Sequence, residues 1–249
     1  MTTSPAESGP ALAFDGVTKA FGGVQALGSF TLHVRRGELF ALVGGNGAGK
    51  TTLIKCLLDF CESDAGSIEI FGAPHRLTRS RRELAFLPER FNPPHYLTGR
   101  DFLRYMAELH RAAYDEERTR RTFERLDLAA SALAKPVRTY SKGMTQKLGL
   151  AACLLSGKAL YVLDEPTSGL DPKARALLKR ELHALRTAGR TMFFTSHALA
   201  DVQEICDRMA VLHGGTLRYA GTPADLITQY ACRDLEQAFL ECIGETVPA

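Results

Sequence analysis

Leu39-Phe40-Ala41-Leu42-Val43-Gly44-Gly45-Asn46-Gly47-Ala48-Gly49-Lys50-Thr51-Thr52 decides the fold. The apolar run 39–43 reads as a buried strand, and 44–51 satisfies G-x-x-x-x-G-K-[ST]. A helix is expected from Lys50 to about Phe60. Glycines in such a loop let successive N–H groups wrap phosphate oxygens. Lys50 adds positive charge at the β/γ-phosphates, and Thr51 offers a hydroxyl to Mg2+. The strand–loop–helix context points to a P-loop NTPase core, an α/β fold with a mostly parallel sheet.

Outward from this core, residues 11–14, 17–21 and 29–34 read as short strands. Asp15-Gly16 and Gly22-Gly23 separate them as turns, so an N-terminal antiparallel β-subdomain is expected. Strands at 67–71 and 84–87 follow the first helix. Residues 91–155 then turn helical (100–110, 116–126 and 141–155) and read as an inserted helical subdomain. Beyond it strands (160–163, 191–195, 209–213) alternate with helices (173–186, 199–205). That alternation implies parallel strands joined by helical crossovers. A strand at 216–220 and two short helices close the chain. One domain over 11–244 is expected, with tails at 1–10 and 245–249.

Composition excludes several classes. Among 249 residues, 31 basic side chains face 28 acidic ones, and this net charge of +3 gives no case for nucleic acid. The longest near-apolar run, 148–155, is far short of the roughly 18 residues a membrane span needs. Membrane contact must therefore come through a partner. The polar start lacks the pattern of a signal peptide. Six cysteines show no CxxC pair and no zinc spacing, which fits a reducing compartment. Two basic groups, His75/Arg76/Arg79/Arg81/Arg82 and Arg118/Arg120/Arg121/Arg125, read as a solvated loop and a solvated helix face. The alternative is a docking surface for acidic groups or lipid head groups.

Leu160-Tyr161-Val162-Leu163-Asp164-Glu165 is an apolar strand ending in two carboxylates, which at the C-terminal end of a parallel strand reach the ligand crevice. Asp164 suits Mg2+, and Glu165 suits a base that orients and deprotonates water. Glu89, after Leu87-Pro88, ends another strand on the same side. Thr195-Ser196-His197 ends a third, where His197 is either structural or placed to touch a γ-phosphate. Asp171-Pro172 reads as a helix start. Tyr140-Ser141-Lys142-Gly143-Met144-Thr145-Gln146-Lys147-Leu148 reads as a second anion-binding helix start, with Ser141 as N-cap and Gly143 allowing close approach.

In this order the motifs closely resemble the nucleotide-binding domain of ATP-binding cassette (ABC) transporters, over about residues 12–244. The resemblance implies a head-to-tail pair of such domains, as a homodimer or a paralogous heterodimer. It implies that Ser141 and Gly143 grip, in trans, the ATP held by the partner's loop. On that pattern the nucleotide set is Phe21, Gly44, Gly45, Asn46, Gly47, Ala48, Gly49, Lys50, Thr51, Thr52, Ser141, Gly143 and Asp171. Phe21 stacks on adenine, unless it is a core strand residue. The metal set is Thr51, Glu89 and Asp164, and the catalytic pair is Glu165 and His197. Cofactors are ATP and Mg2+, and residues 90–104 lie near the surface for a transmembrane permease.

Two positions depart from the family pattern. Tyr140-Ser141-Lys142-Gly143-Met144 stands where Leu-Ser-Gly-Gly-Gln is usual, and Glu89 stands where Gln is usual. The signature followed by Gln146-Lys147-Leu148, together with the ending 234–240, resembles the branch serving bacterial ABC-2-type exporters. The resemblance implies an ATPase at the cytoplasmic face of the bacterial inner membrane. Two other classes compete with that reading. A soluble ABC ATPase acting on nucleic acid or ribosomes usually carries two cassettes or long coiled-coil insertions, which this sequence lacks. A regulatory nucleotide binder would not need Asp164, Glu165 and His197 together.

Overall fold

A computed structural model of the protein describes residues 9–245; most of both expected tails lies outside the described residues. β1 (Leu12–Phe21) and β2 (Val24–Val34) form a hairpin, and β1 also pairs antiparallel with β4 (Ala65–Ile70). With β5 (Ala73–Pro74) they make a four-stranded sheet of order β2-β1-β4-β5. The second sheet contains β3 (Leu39–Val43), β6 (Leu84–Leu87), β7 (Leu160–Leu163), β8 (Thr191–Ser196), β9 (Arg208–His213) and β10 (Thr216–Gly221). Its order is β10-β9-β3-β8-β7-β6, parallel throughout except at β10.

Sequence and structure differ at three instructive places. The two strands expected at 11–14 and 17–21 are one strand. The Asp15-Gly16 turn is absorbed as a bulge, with a register shift between Phe14 and Val17 and Gly16 N–H donating to Thr31 Oγ1 at 2.9 Å. β2 starts at Val24 rather than at 29, because Gly22 and Gly23 supply positive φ for a two-residue hairpin loop. The helix after the loop, α1 (Lys50–Leu57), stops before Phe60, where Asp59 turns left-handed at φ 63°.

The central strands β3, β7 and β8 are buried on both faces, and strand alternation sorts their side chains. Phe40, Leu42, Val162 and Phe193 face the antiparallel sheet and α1. Leu39, Ala41, Val43, Tyr161, Leu163 and Phe194 face the helices on the other side. Phe193 is the hinge of the first core: its ring lies 6.0 Å from Phe14 and stacks 6.1 Å from Phe40. Phe193→Ala is expected to cost about 3–5 kcal/mol of unfolding free energy, measured by denaturant titration.

Between β6 and β7 the chain forms α2 (Gly99–Leu109), α3 (Glu116–Arg125) and α4 (Lys142–Ser156). Each begins at a side-chain cap: Thr98, Asp115 and Ser141 accept from Asp101, Arg118 and Met144 N–H respectively. α5 (Pro172–Thr187) and α6 (Leu199–Ile205) cross between the later strands, and α7 (Pro223–Gln229) and α8 (Leu235–Ile243) close the fold. Among the described residues no helix is long and apolar enough to cross a membrane.

Charge near the surface is more committed than its sequence suggests. His75 is buried rather than on a solvated loop: its Nδ1 lies 3.0 Å from the Ile68 carbonyl, and burial holds its pKa below the usual range. On α3, Arg121 pairs with Glu117 at 2.6 Å, and Arg125 pairs with the buried Glu181.

Candidate functional site

The loop between β3 and α1 keeps two glycines for reasons of space. A Cβ on Gly44 would stand 2.3 Å from the Leu212 carbonyl oxygen, so β9 can pass only a hydrogen there. Gly49 sits at φ 111°, and its Cβ would meet the Ala26 carbonyl oxygen at 2.6 Å. The loop therefore wraps tightly onto β9 and the β1–β2 sheet. It borders a crevice lined by Gly45, Asn46, Gly47, Ala48, Gly49, Lys50, Thr51 and Thr52. Glu89, Asp164, Glu165 and His197 close the same crevice from the neighbouring strands β6, β7 and β8.

These side chains are already connected. Lys50 Nζ donates to the Gly44 carbonyl at 2.6 Å and lies 3.4 Å from Glu165 Oε1. His197 Nδ1 lies 2.8 Å from Glu165 Oε2, and the His197 N–H donates to the same oxygen at 3.3 Å. Glu165 is a buried carboxylate held from two sides, in a backbone conformation with φ 47°. That left-handed geometry is uncommon outside glycine and costs of order 1–3 kcal/mol, a form of strain that clusters at functional sites.

Asp164 is also buried; its N–H donates to the Leu87 carbonyl at 2.8 Å, which fixes the ends of β6 and β7 together. Burial pushes its carboxyl pKa up; the Thr195 hydroxyl opposes this, the Glu89 carboxylate adds to it, and Lys50 and Thr51 oppose it. Its Oδ2 accepts from Thr51 Oγ1 at 3.5 Å, so one hydroxyl and one carboxylate converge from the start of α1 and the end of β7. Among the described residues no three His, Cys, Asp or Glu side chains converge on a metal position. A site with one carboxylate and one hydroxyl fits Mg2+, which usually keeps few protein ligands and takes phosphate and water oxygens for the rest.

The remaining residues singled out in the sequence stand outside the crevice. Phe21 ends β1 half-exposed rather than in the core, with Lys19 Nζ 5.3 Å from its ring centre. Lys19 is itself held by Asp64 at 2.7 Å, and Asp64 also accepts from Ala20 N–H at 2.6 Å, which pins the strand end beneath Phe21. Ser141 caps α4 on an exposed surface, and a Cβ on Gly143 would meet nothing within 4 Å. Asp171 caps α5 by accepting from Ala174 N–H at 2.9 Å, with Pro172 at the first helical position. Thr195 was not singled out by sequence reasoning. Its hydroxyl lies between Asp164 and Glu165, a position that only the strand register reveals.

Comparison with known proteins shows the family and the fold. Residues 27–168 match the family model for ABC transporters, more than half of the chain. The chain belongs to the ABC transporter family. It is an ATP-binding domain of the ABC ATPase type, built on the same fold as a solved structure described as an ATP binding subunit of an ABC transporter. That structure superposes with a TM-score of 0.87 at 30% identity, over 93% of this chain and 99% of the other. A Synechocystis sp. ABC transporter ATP-binding protein, itself uncharacterized, is 38% identical over 82% of this chain; the match spans 58% of that relative's length. The Nod factor export ATP-binding protein I of Ralstonia nicotianae is 33% identical over 97% of this chain and 75% of its own.

Proposed function

We propose that this chain hydrolyses ATP as the motor subunit of an ABC exporter. In this reading it pairs with a second ATP-binding domain and drives a separate transmembrane permease from the cytoplasmic face of the membrane. The single observation that carries the reading is the placement of Glu165 between Lys50 and His197, beside Asp164 and the phosphate-binding loop. A buried carboxylate held in that way is positioned before substrate arrives, so orientation supplies much of the rate.

In this mechanism the loop amides and Lys50 hold the β- and γ-phosphates, and Phe21 stacks on adenine. Thr51 and Asp164 would hold Mg2+, which when bound neutralises charge on the phosphate oxygens. Glu165 orients water at the γ-phosphate and accepts its proton. His197 keeps the Glu165 carboxylate in register, and Glu89 borders the same water. Ser141 and Gly143 face outward, which suits contact with a nucleotide held by a second domain. Asp171, at the nearby start of α5, belongs to the same proposed interface. The exporter direction is supported by the relative named for Nod factor export.

Lys50→Ala tests the nucleotide part. Loss of a charge-assisted contact should weaken ATP binding by about tenfold to a hundredfold in a fluorescent-nucleotide titration. Wild-type affinity in that variant would contradict the assignment. Co-purification of the tagged chain from membranes with a permease, rather than with RNA or DNA, tests the partner. Recovery with nucleic acid alone would favour the soluble ABC class.

A further inference from the structure

We infer that the Thr195 hydroxyl is a positioning group for hydrolysis, tying the Asp164 carboxylate and the Glu165 backbone into one unit. The inference rests on the proposed roles of those two acids. In the parallel pairing of β7 with β8, Leu163 lies opposite Phe194, so the next residues, Asp164 and Thr195, emerge side by side. Thr195 is fully buried. Its hydroxyl donates to Asp164 Oδ1 at 2.6 Å and accepts from Glu165 N–H at 2.9 Å.

A hydroxyl has one proton, and here it is committed to a carboxylate, the stronger kind of acceptor. That bond anchors Oδ1 and leaves Oδ2 turned toward Thr51 at the start of α1, the orientation a shared cation needs. The accepting lone pair ties the N–H of Glu165 at 2.9 Å and so helps hold its left-handed φ of 47°. The Glu165 carboxylate is held separately by His197 and Lys50. Thr195 thus sets the backbone from which Glu165 projects and the face that Asp164 presents, while standing behind both acids.

Thr195→Val keeps the shape and removes the hydroxyl; Thr195→Ser keeps the hydroxyl and removes the methyl. ATP affinity is measured with EDTA and then with Mg2+, alongside kcat and melting temperature. The valine variant should keep the metal-free affinity but lose the Mg2+-dependent gain in ATP affinity, and kcat should fall about tenfold to a hundredfold. The serine variant should stay near wild type in both. A valine variant with an undiminished Mg2+-dependent gain and undiminished kcat overturns the inference. So does a serine variant that folds but loses the Mg2+-dependent gain, and this arm decides the matter should the valine variant fail to fold. Equal losses of metal-free affinity and melting temperature in both variants would show a packing role and also overturn it. Failure of the functional reading looks different: Glu165→Gln would hydrolyse ATP at the wild-type rate while the Mg2+-dependent binding still followed the Thr195 hydroxyl.

Discussion

Glu165→Gln is expected to bind ATP and accumulate as an ATP-bound dimer while losing at least about a hundredfold in steady-state hydrolysis, the low end of what a general base contributes. The substitution is conservative for the fold. An amide oxygen can still accept from the His197 N–H, and the side-chain volume is retained. What disappears is the proton acceptor and the negative charge 3.4 Å from Lys50. Freed from that carboxylate, Lys50 gains rather than loses capacity for phosphate, so binding and turnover should separate cleanly. Turnover is read by phosphate release and the dimer by light scattering after size exclusion. Unchanged turnover contradicts the assignment of Glu165 as the base.

The second large effect is expected at Ser141. Arginine there should leave ATP binding by the single chain intact yet abolish closure and hydrolysis. The side chain caps α4, accepting from Met144 N–H at 3.2 Å, so its loss costs the helix about 1 kcal/mol, which the fold can absorb. Ser141→Ala carries the same loss of cap without the bulk and serves as the control. Ser141 does not line the crevice of its own loop, so a surface arginine there stands apart from Lys50's pocket. Loss of single-chain ATP binding in Ser141→Arg would place Ser141 in its own chain's pocket and break the paired-domain account.

Much of this architecture is legible in the sequence because local signals agree with the tertiary solution. Residues 39–43, 84–87 and 160–163 are strands at the expected bounds, since short apolar runs flanked by turn residues have few other uses in an α/β core. Ser141 and Asp171 announce helix starts with the side chains that cap them. The carboxylates at the end of β7 fall in the crevice because a parallel strand delivers its C-terminal end there.

The illegible parts depend on partners across a strand pairing. Asp15-Gly16 reads as a turn until Thr31, on the opposing strand, holds the bulge in place. His75 reads as one more basic residue until the Ile68 carbonyl and burial make it a core group. Thr195 has an ordinary strand-end sequence, and its hydroxyl acquires meaning only from the register of β8 against β7. In each case the decisive contact is a hydrogen bond set by sheet registration rather than by residue type.

The central claim is that each ATP is completed by Ser141 and Gly143 of a second domain. Two inactive variants test it most directly when mixed before ATP is added. In a Glu165→Gln/Ser141→Arg pair, one composite site combines an intact Glu165 from one chain with an intact Ser141 from the other. The account predicts that mixing restores ATP hydrolysis that neither variant shows alone. If Ser141 served its own chain's nucleotide, every site in the mixture would carry a defect, and hydrolysis would stay at the level of the separate variants.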